Sequence, residues 1–192
     1  MADPRSLRSR AALVDAFTRL LLEKGYDAIT PTSIAASAHV ARSTFYEHYS
    51  GKPDLLRSSL NRIFGVIAQA GFSTEVPCTR TVGVLEHFWA KRGFARALMK
   101  DRPRLILQSR LAEMIVAEMR SKGYVATIPA AVVALQISNA HIAVLDTWLA
   151  GNYRSDAATM ERVLRDGASS LLRAFGQDFP ATSINAVRKA KS

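Results

Sequence analysis

The sequence has 192 residues, 48% of them hydrophobic, which excludes a chain that is disordered throughout because it supplies enough apolar side chains for a core. Its single cysteine, Cys78, excludes an intramolecular disulfide, and no Cys/His cluster at metal-ligand spacing accompanies it, so we expect neither a metal nor another cofactor. The formal net charge of +10 favours a polyanionic partner, although residues 1–60 carry only eight basic against six acidic residues.

The sequence contains no segment that we expect to enter or cross a membrane. Its N-terminus is charged and has no apolar core of secretory length. The most apolar stretch, 124–149, is interrupted by residues that are costly in lipid: Pro129, Gln136, Asn139, His141 and Asp146. We therefore predict a buried helix in this stretch and a soluble, cytoplasmic protein.

The N-terminal region predicts three short helices before residue 50. The first is indicated by apolar residues at spacings of three and four: Leu13, Phe17, Leu20 and Leu21. Gly25 predicts the left-handed end of that helix. Thr30 is suited to cap a second helix, and Pro31 to occupy its first position, where a missing N–H costs nothing. A third helix is predicted from Arg42 to about residue 49.

No later segment alternates with the period of a β-strand. We predict further helices at roughly 54–71, 80–99, 103–121, 128–150 and 156–176, and therefore an all-α fold. The helices divide into three short ones within residues 1–54 and a larger helical segment over 55–179, followed by a flexible tail over 180–192.

The second and third helices have the ingredients of a helix-turn-helix. A tight turn joins them, with the small residues Ala35 and Ala38 where they cross. Phe45 and Tyr49 lie four residues apart, so we expect both to pack inward. This leaves a different face of the third helix for a DNA major groove: Arg42, Ser43, Tyr46 and Glu47.

Several segments in this region resemble, in order and spacing, the N-terminal domain of TetR-family transcriptional regulators. They are Gly25-Tyr26-Asp27-Ala28, Ile34-Ala35, Ala38-His39-Val40-Ala41, Thr44-Phe45-Tyr46-Glu47-His48-Tyr49 and Lys52-Pro53-Asp54-Leu55-Leu56. The resemblance covers about 50 residues. It implies that residues 1–54 form a helix-turn-helix domain that binds double-stranded operator DNA, and that residues 55–179 form a helical effector-binding and dimerisation domain.

The resemblance also assigns roles to individual residues. It places Arg42, Ser43 and Tyr46 where base-contacting residues lie, and arginine suits such a role because it can donate a bidentate pair to guanine. It places a second set mainly at backbone-contact positions: Thr30, Thr32, Thr44, His48 and Lys52. Packing for Tyr46, a structural role for His48 and capping for Thr30 are the alternatives.

Two residues depart from the family pattern. His39 occupies the turn position where the family usually has glycine, and histidine tolerates a left-handed backbone better than most residues. Glu47 brings a carboxylate towards the phosphates, which weakens nonspecific affinity unless this group accepts from a cytosine amino group or pairs with Arg42 or Arg57.

The rest of the sequence resembles the family in architecture. Its last two helices look like the family's dimer interface, for which we select Val144, Trp148, Val163, Leu164 and Leu171. The family's small-molecule pocket is assigned to Phe88, Trp89, Phe94, Met114, Asn139 and His141, although core packing is the alternative for each. Six cations opposed by Asp101 suggest an anionic effector, an additional DNA contact or a solvated face: Lys91, Arg92, Arg96, Lys100, Arg102 and Arg104.

These features predict a homodimeric, ligand-responsive repressor that binds a palindromic operator and is released by a small-molecule effector. The alternative is a DNA-tethered protein-interaction module without an effector. We predict no catalytic residues, since the sequence has no GxSxG, HExxH or phosphate-cradling motif and no paired carboxylates in a suitable context.

Overall fold

The computed structural model describes residues 3–73 and 77–177, and within them the chain forms nine α-helices. They are α1 (Pro4–Lys24), α2 (Pro31–Ser37), α3 (Arg42–His48), α4 (Lys52–Gln69), α5 (Thr79–Ala90), α6 (Arg92–Leu98), α7 (Asp101–Ser121), α8 (Ala130–Leu149) and α9 (Ala157–Phe175). A 3-10 turn, Ala70–Phe72, follows α4. The all-α prediction is confirmed, with an N-terminal helix-turn-helix and a helical C-terminal part.

The first helix begins and ends at residues that the sequence marks. The Asp3 carboxylate accepts a hydrogen bond from the Arg5 backbone N–H at 3.0 Å, and Pro4 occupies the first helical position. Gly25 ends the helix at a φ of 73°, which only glycine adopts without a steric penalty. The inward face consists of Leu13, Ala16, Phe17, Leu20 and Leu21. Local sequence signals therefore determine both ends of α1.

The chain folds into two compact units that do not follow the order of the sequence. The first contains residues up to Arg62 together with Lys91–Leu107, and the second contains Ile63–Ala90 and the chain from Gln108 onwards. The predicted domain boundary after residue 54 thus falls inside the first unit, where α1 contacts α2, α3 and α6. The predicted tail, 180–192, lies outside the described residues.

The single helix predicted over 80–99 is wrong. The structure has two helices, α5 and α6, which Lys91 separates with non-helical angles (φ −105°, ψ 29°). The apolar residues on either side of this break pack in different units, since Phe88 is buried in the second unit and Leu98 in the first. The break therefore follows from tertiary packing, and neither proline nor a run of glycines marks it in the sequence.

Helices α8 and α9 pack against each other in the second unit. The buried side of α8 includes Val133, Ile137, Ile142 and Leu145. Among the described helices, α8 is the one that is long and apolar enough to span a bilayer by length and composition, a test that the core helix of a soluble protein also passes. Within the chain, 39% of this apolar stretch is buried.

Candidate nucleic-acid interface

Helix α2 begins with a complete capping box. The Thr30 hydroxyl accepts from the Ser33 N–H at 3.1 Å, and the Ser33 hydroxyl oxygen accepts from the Thr30 N–H at 3.0 Å. These bonds satisfy two of the donors that a helix start leaves unpaired. Thr30 and Thr32 are both exposed at this end of the helix. The cap is as predicted, and the two residues are accessible for backbone contacts.

The turn between α2 and α3 has a left-handed residue at His39, whose φ is 54°. The turn closes through backbone hydrogen bonds, of which the Val40 N–H donates to the Ala35 carbonyl at 3.0 Å. His39 is therefore where the family places glycine and adopts the backbone conformation that glycine would adopt. Its side chain is exposed, so the strain is confined to the backbone.

Helix α3 has one buried face and one exposed face. Phe45 and Tyr49 are 0% and 2% exposed, and their ring centroids lie 5.9 Å apart. Arg42, Ser43 and Glu47 are exposed, and Tyr46 is 47% exposed. Both faces agree with the division predicted from the sequence. The buried rings fix the rotation of the helix about its axis and so determine which side chains point to solvent.

Arg42 and Tyr46 lie together on the exposed face. The Arg42 guanidinium carbon is 5.6 Å from the centre of the Tyr46 ring, a cation–π distance. The pair is one helical turn apart, which brings the side chains together without any contribution from another element. A guanidinium held against a ring loses less conformational freedom when it binds a base edge than one that is fully mobile.

Thr44 and His48 lie on the flank of α3, where they are half-buried. The His48 Nε2 atom is 2.8 Å from the Ser9 hydroxyl, so the first turns of α1 lie beside this flank. A cavity of about 420 Å³ separates the two elements. It is lined by Asp3, Arg5, Ser6, Ser9, Val40, Ala41, Thr44, Glu47 and His48. Sequence reasoning missed this neighbourhood, because the two elements that form it are almost 40 residues apart.

Lys52 differs most from its sequence assignment. Its ammonium donates to the backbone carbonyls of Tyr26 and Ile29 at 2.6 and 2.8 Å. These carbonyls belong to the connection between α1 and α2, which Lys52 thereby joins to the start of α4. Its predicted phosphate contact stays a prediction, but the structure gives the side chain a second role inside the domain.

Comparison with known proteins agrees with this geometry. Residues 13–58 match the family described as bacterial regulatory proteins, tetR family. The crystal structure of a TetR transcriptional regulator from Streptococcus agalactiae is similar over 85% of this chain and 95% of that one, with 25% identity and a TM-score of 0.55. The family match covers the helix-turn-helix region, and the two findings together support a TetR-family transcriptional regulator.

Curated TetR-type relatives match over shorter segments. The chain is 41% identical over 61 residues to the uncharacterized HTH-type transcriptional regulator YxbF of Bacillus subtilis, which is 31% of this chain and 16% of that protein. It is 35% identical over 51 residues to the DNA-binding transcriptional repressor TetR of Mycobacteroides abscessus, 27% of each chain. The chain thus aligns with less than a third of the length of either relative.

The residues predicted to form a TetR-type effector pocket are divided between the two units. Phe94 belongs to the first unit, whereas the other five belong to the second. Within the second unit, Trp89 lies against Trp148 with ring centroids 5.0 Å apart, and Asn139 is exposed and accepts from the Gln108 amide. A cavity of about 340 Å³ in this unit is lined instead by Val66, Gln69, Phe72, Ser73, Cys78, Arg80, Glu118 and Lys122.

His141 is the predicted pocket residue with the most unusual environment. It is 3% exposed, and its Nε2 atom has no hydrogen-bond partner among the residues that the structure describes. Burial lowers the pKa of His141 to about 4, against a smaller opposing effect of a hydrogen bond to the Ile137 backbone. His141 is therefore a neutral imidazole at physiological pH, with one unused polar atom in an apolar interior.

The residues predicted to form the TetR-type dimer interface differ in exposure. Trp148 and Leu164 are 1% and 2% exposed, so they are part of the core of their own chain. The Trp148 indole N–H donates to the Ser155 carbonyl at 3.0 Å. Val163 is 46% exposed, and Val144 and Leu171 are half-buried. The latter three are accessible to a partner, whereas the first two are not.

Proposed function

We propose that the protein is a ligand-responsive transcriptional repressor that binds a palindromic operator as a homodimer and is released by a small molecule. The observation that carries DNA recognition is the exposed face of α3, with Arg42, Ser43 and Tyr46. Phe45 and Tyr49 are buried behind this face and hold the helix rigidly. A rigid helix with a donor-rich outer face is what major-groove recognition requires.

Base recognition and positioning fall to different residues in this proposal. Arg42 donates to guanine O6 and N7, and Tyr46 offers a hydroxyl and a ring to a neighbouring phosphate or thymine methyl. The exposed hydroxyl of Thr32 and the N-terminus of α2 bind phosphates and fix the orientation of the domain.

Dimerisation is supported by exposed apolar residues on α8 and α9. Val132 and Leu135 on α8 are 43% and 48% exposed, and Val163 on α9 is 46% exposed. The small residues Ala140 and Gly167 are exposed on the same two helices and permit close helix approach. A two-fold axis through this surface brings the same patch of both subunits together, and two recognition helices then bind half-sites about one DNA turn apart.

Effector binding is supported by His141, whose unbonded Nε2 atom lies in an apolar interior. A buried polar group without a partner costs free energy, and a ligand that donates to this atom recovers it. The ligand releases DNA if it binds more tightly to a conformation whose recognition helices no longer match the groove spacing. The assignment as a repressor draws on the relative from M. abscessus, which is named a repressor.

The experiment that tests the proposal is selection of duplexes from a randomised pool by the purified protein at near-physiological salt, followed by sequencing of the bound fraction. We expect a palindromic consensus with half-sites about ten base pairs apart. A non-palindromic consensus would contradict the dimer, and enrichment of no sequence would contradict operator recognition. Small molecules that raise the thermal midpoint and release the selected duplex would identify the effector class.

A further inference from the structure

The fold gathers most of the net charge of the protein into the unit that contains the helix-turn-helix. Residues 1–62 hold nine basic and six acidic residues, a net charge of +3. Residues 91–107, which belong to the same unit, hold six basic residues and one acidic residue, a net charge of +5. The first unit therefore carries +8 of the total of +10. The N-terminal segment alone would be a weakly charged DNA-binding domain.

The six cations that supply this charge are here called the α6–α7 basic patch: Lys91, Arg92, Arg96, Lys100, Arg102 and Arg104. Helix α6 contacts α1, and its segment is held there by the buried residues Ala95, Leu98 and Met99. Five of the six cations are exposed, among them Arg96, Lys100 and Arg102, and Arg104 is half-buried.

Arg102 interacts electrostatically with Tyr26 and Lys52, at the connection that precedes α2. Burial lowers the pKa of Lys52, nearby Asp27 opposes this effect, and the positive charge of Arg102 lowers the pKa further. Desolvation and Asp27 raise the pKa of Tyr26, whereas the charges of Arg102 and Arg57 lower it. Arg102 is thus within electrostatic range of the connection that leads from Tyr26 to Thr30 at the start of α2.

We propose that the α6–α7 basic patch is a second DNA-binding surface, which contacts backbone phosphates outside the groove that α3 occupies. This inference rests on the proposed function. Exposed charges act over about 8 Å at physiological ionic strength, so only cations near a phosphate contribute. Each cation that neutralises a phosphate releases condensed counterions, which adds sequence-independent affinity. The patch offsets the unfavourable charge of Glu47, an exposed carboxylate on α3 itself.

The test uses the full chain and two double variants that lose the same charge. In one, Arg96→Gln and Arg102→Gln remove two guanidiniums from the patch. In the matched control, Arg120→Gln and Arg154→Gln remove two exposed guanidiniums from the second unit. Fluorescence anisotropy measures the affinity of each protein for the selected duplex and for a scrambled duplex between about 50 and 200 mM salt.

The slope of log affinity against log salt becomes shallower by about 0.9 for each phosphate that is no longer neutralised. We therefore expect a change of about 1 to 2 in the slope of the patch variant. The affinity of this variant should fall equally for both duplexes. The control should keep the wild-type slope, and the charge-preserving variant with Arg96→Lys and Arg102→Lys should restore it. Equal slopes in the patch variant and the control would overturn the inference. Failure of the wild-type protein to bind any duplex would instead refute the proposed function.

Discussion

The ammonium of Lys52 lies 4.1 Å from the centre of the Tyr26 ring and donates to the backbone carbonyl oxygen of the same residue at 2.6 Å. A second bond to the Ile29 carbonyl makes Lys52 the connection between the start of α4 and the loop that precedes α2. A charged donor bonded to two carbonyls contributes more than a neutral one. Lys52 therefore stabilises the DNA-binding domain independently of any phosphate contact.

Lys52→Met tests this structural role, because methionine keeps the apolar stem and removes the ammonium. We expect a loss of about 1 to 3 kcal/mol in the free energy of unfolding, since two carbonyls lose a charged donor. Urea unfolding measures it. The control is Lys24→Met at the exposed end of α1, which should change stability by less than about 0.5 kcal/mol. Equal effects of the two substitutions would contradict the structural role of Lys52.

Arg42→Ala tests base recognition by α3. We expect a loss of about 1 to 3 kcal/mol in binding to the selected duplex and a relaxed preference at one base pair of each half-site. Fluorescence anisotropy with the selected and the scrambled duplex measures the affinity, and a repeated duplex selection with the variant measures the base preference. Tyr46 should also lose the cation that lies over its ring. If affinity for the selected and the scrambled duplex falls equally, Arg42 contacts the backbone and not a base.

His39 offers a test of backbone strain in the turn, since its φ is 54°. His39→Gly should leave the protein equally stable or more stable by up to about 1 kcal/mol, because relief of the left-handed strain competes with the greater entropy of glycine in the unfolded chain. His39→Val should destabilise it by at least about 1 kcal/mol, since a β-branched residue fits this region poorly. If thermal or urea unfolding showed the His39→Val variant to be more stable than the His39→Gly variant, this would contradict the left-handed backbone at His39.

The lowered pKa of His141 predicts how the stability of the protein depends on pH. Its pKa of about 4 in the folded state lies below the ordinary value of 6.5, so the unfolded chain binds the proton more tightly. The neutral His141 side chain therefore makes its full contribution to the free energy of unfolding above pH 6.5. This contribution is lost as the pH falls towards 4, and the total loss is about 3 kcal/mol. Urea unfolding across this range should show a shallower decline for His141→Gln than for the wild type. The exposed control His87→Gln should follow the wild type, and parallel curves for all three proteins would contradict the prediction.

Val163→Asp tests the proposed dimer surface. A carboxylate in an apolar contact between two subunits loses its hydration and lies near the same carboxylate of the partner. We therefore expect the dimer to weaken by about 3 kcal/mol or more. This raises its dissociation constant by at least on the order of a hundredfold. Light scattering after gel filtration measures the mass. Val125→Asp is the matched control, because Val125 is 55% exposed in a loop between α7 and α8. A monomeric wild-type protein, or a dimeric Val163 variant, would refute this surface.

The sequence alone determined the features that depend on neighbours within one or two helical turns. Thr30 and Pro31 mark the start of α2 because a hydroxyl can accept from a free N–H of the first turn and proline loses no hydrogen bond at the first helical position. Phe45 and Tyr49 were expected on the same buried side of α3 because helical geometry brings residues four apart together. His39 was expected to be left-handed from the position of glycine in the resembling family, and it is.

Features that join distant parts of the chain required the tertiary structure. The division of 80–99 into α5 and α6 depends on which unit buries each half, and Lys52 turns inward because the carbonyls of a loop more than 20 residues earlier lie within its reach. The sequence separates the six cations of the α6–α7 basic patch from the helix-turn-helix by some 40 residues, yet the fold places them in the same compact unit. Periodicity specifies which side of a helix is apolar, but only packing decides what covers that side.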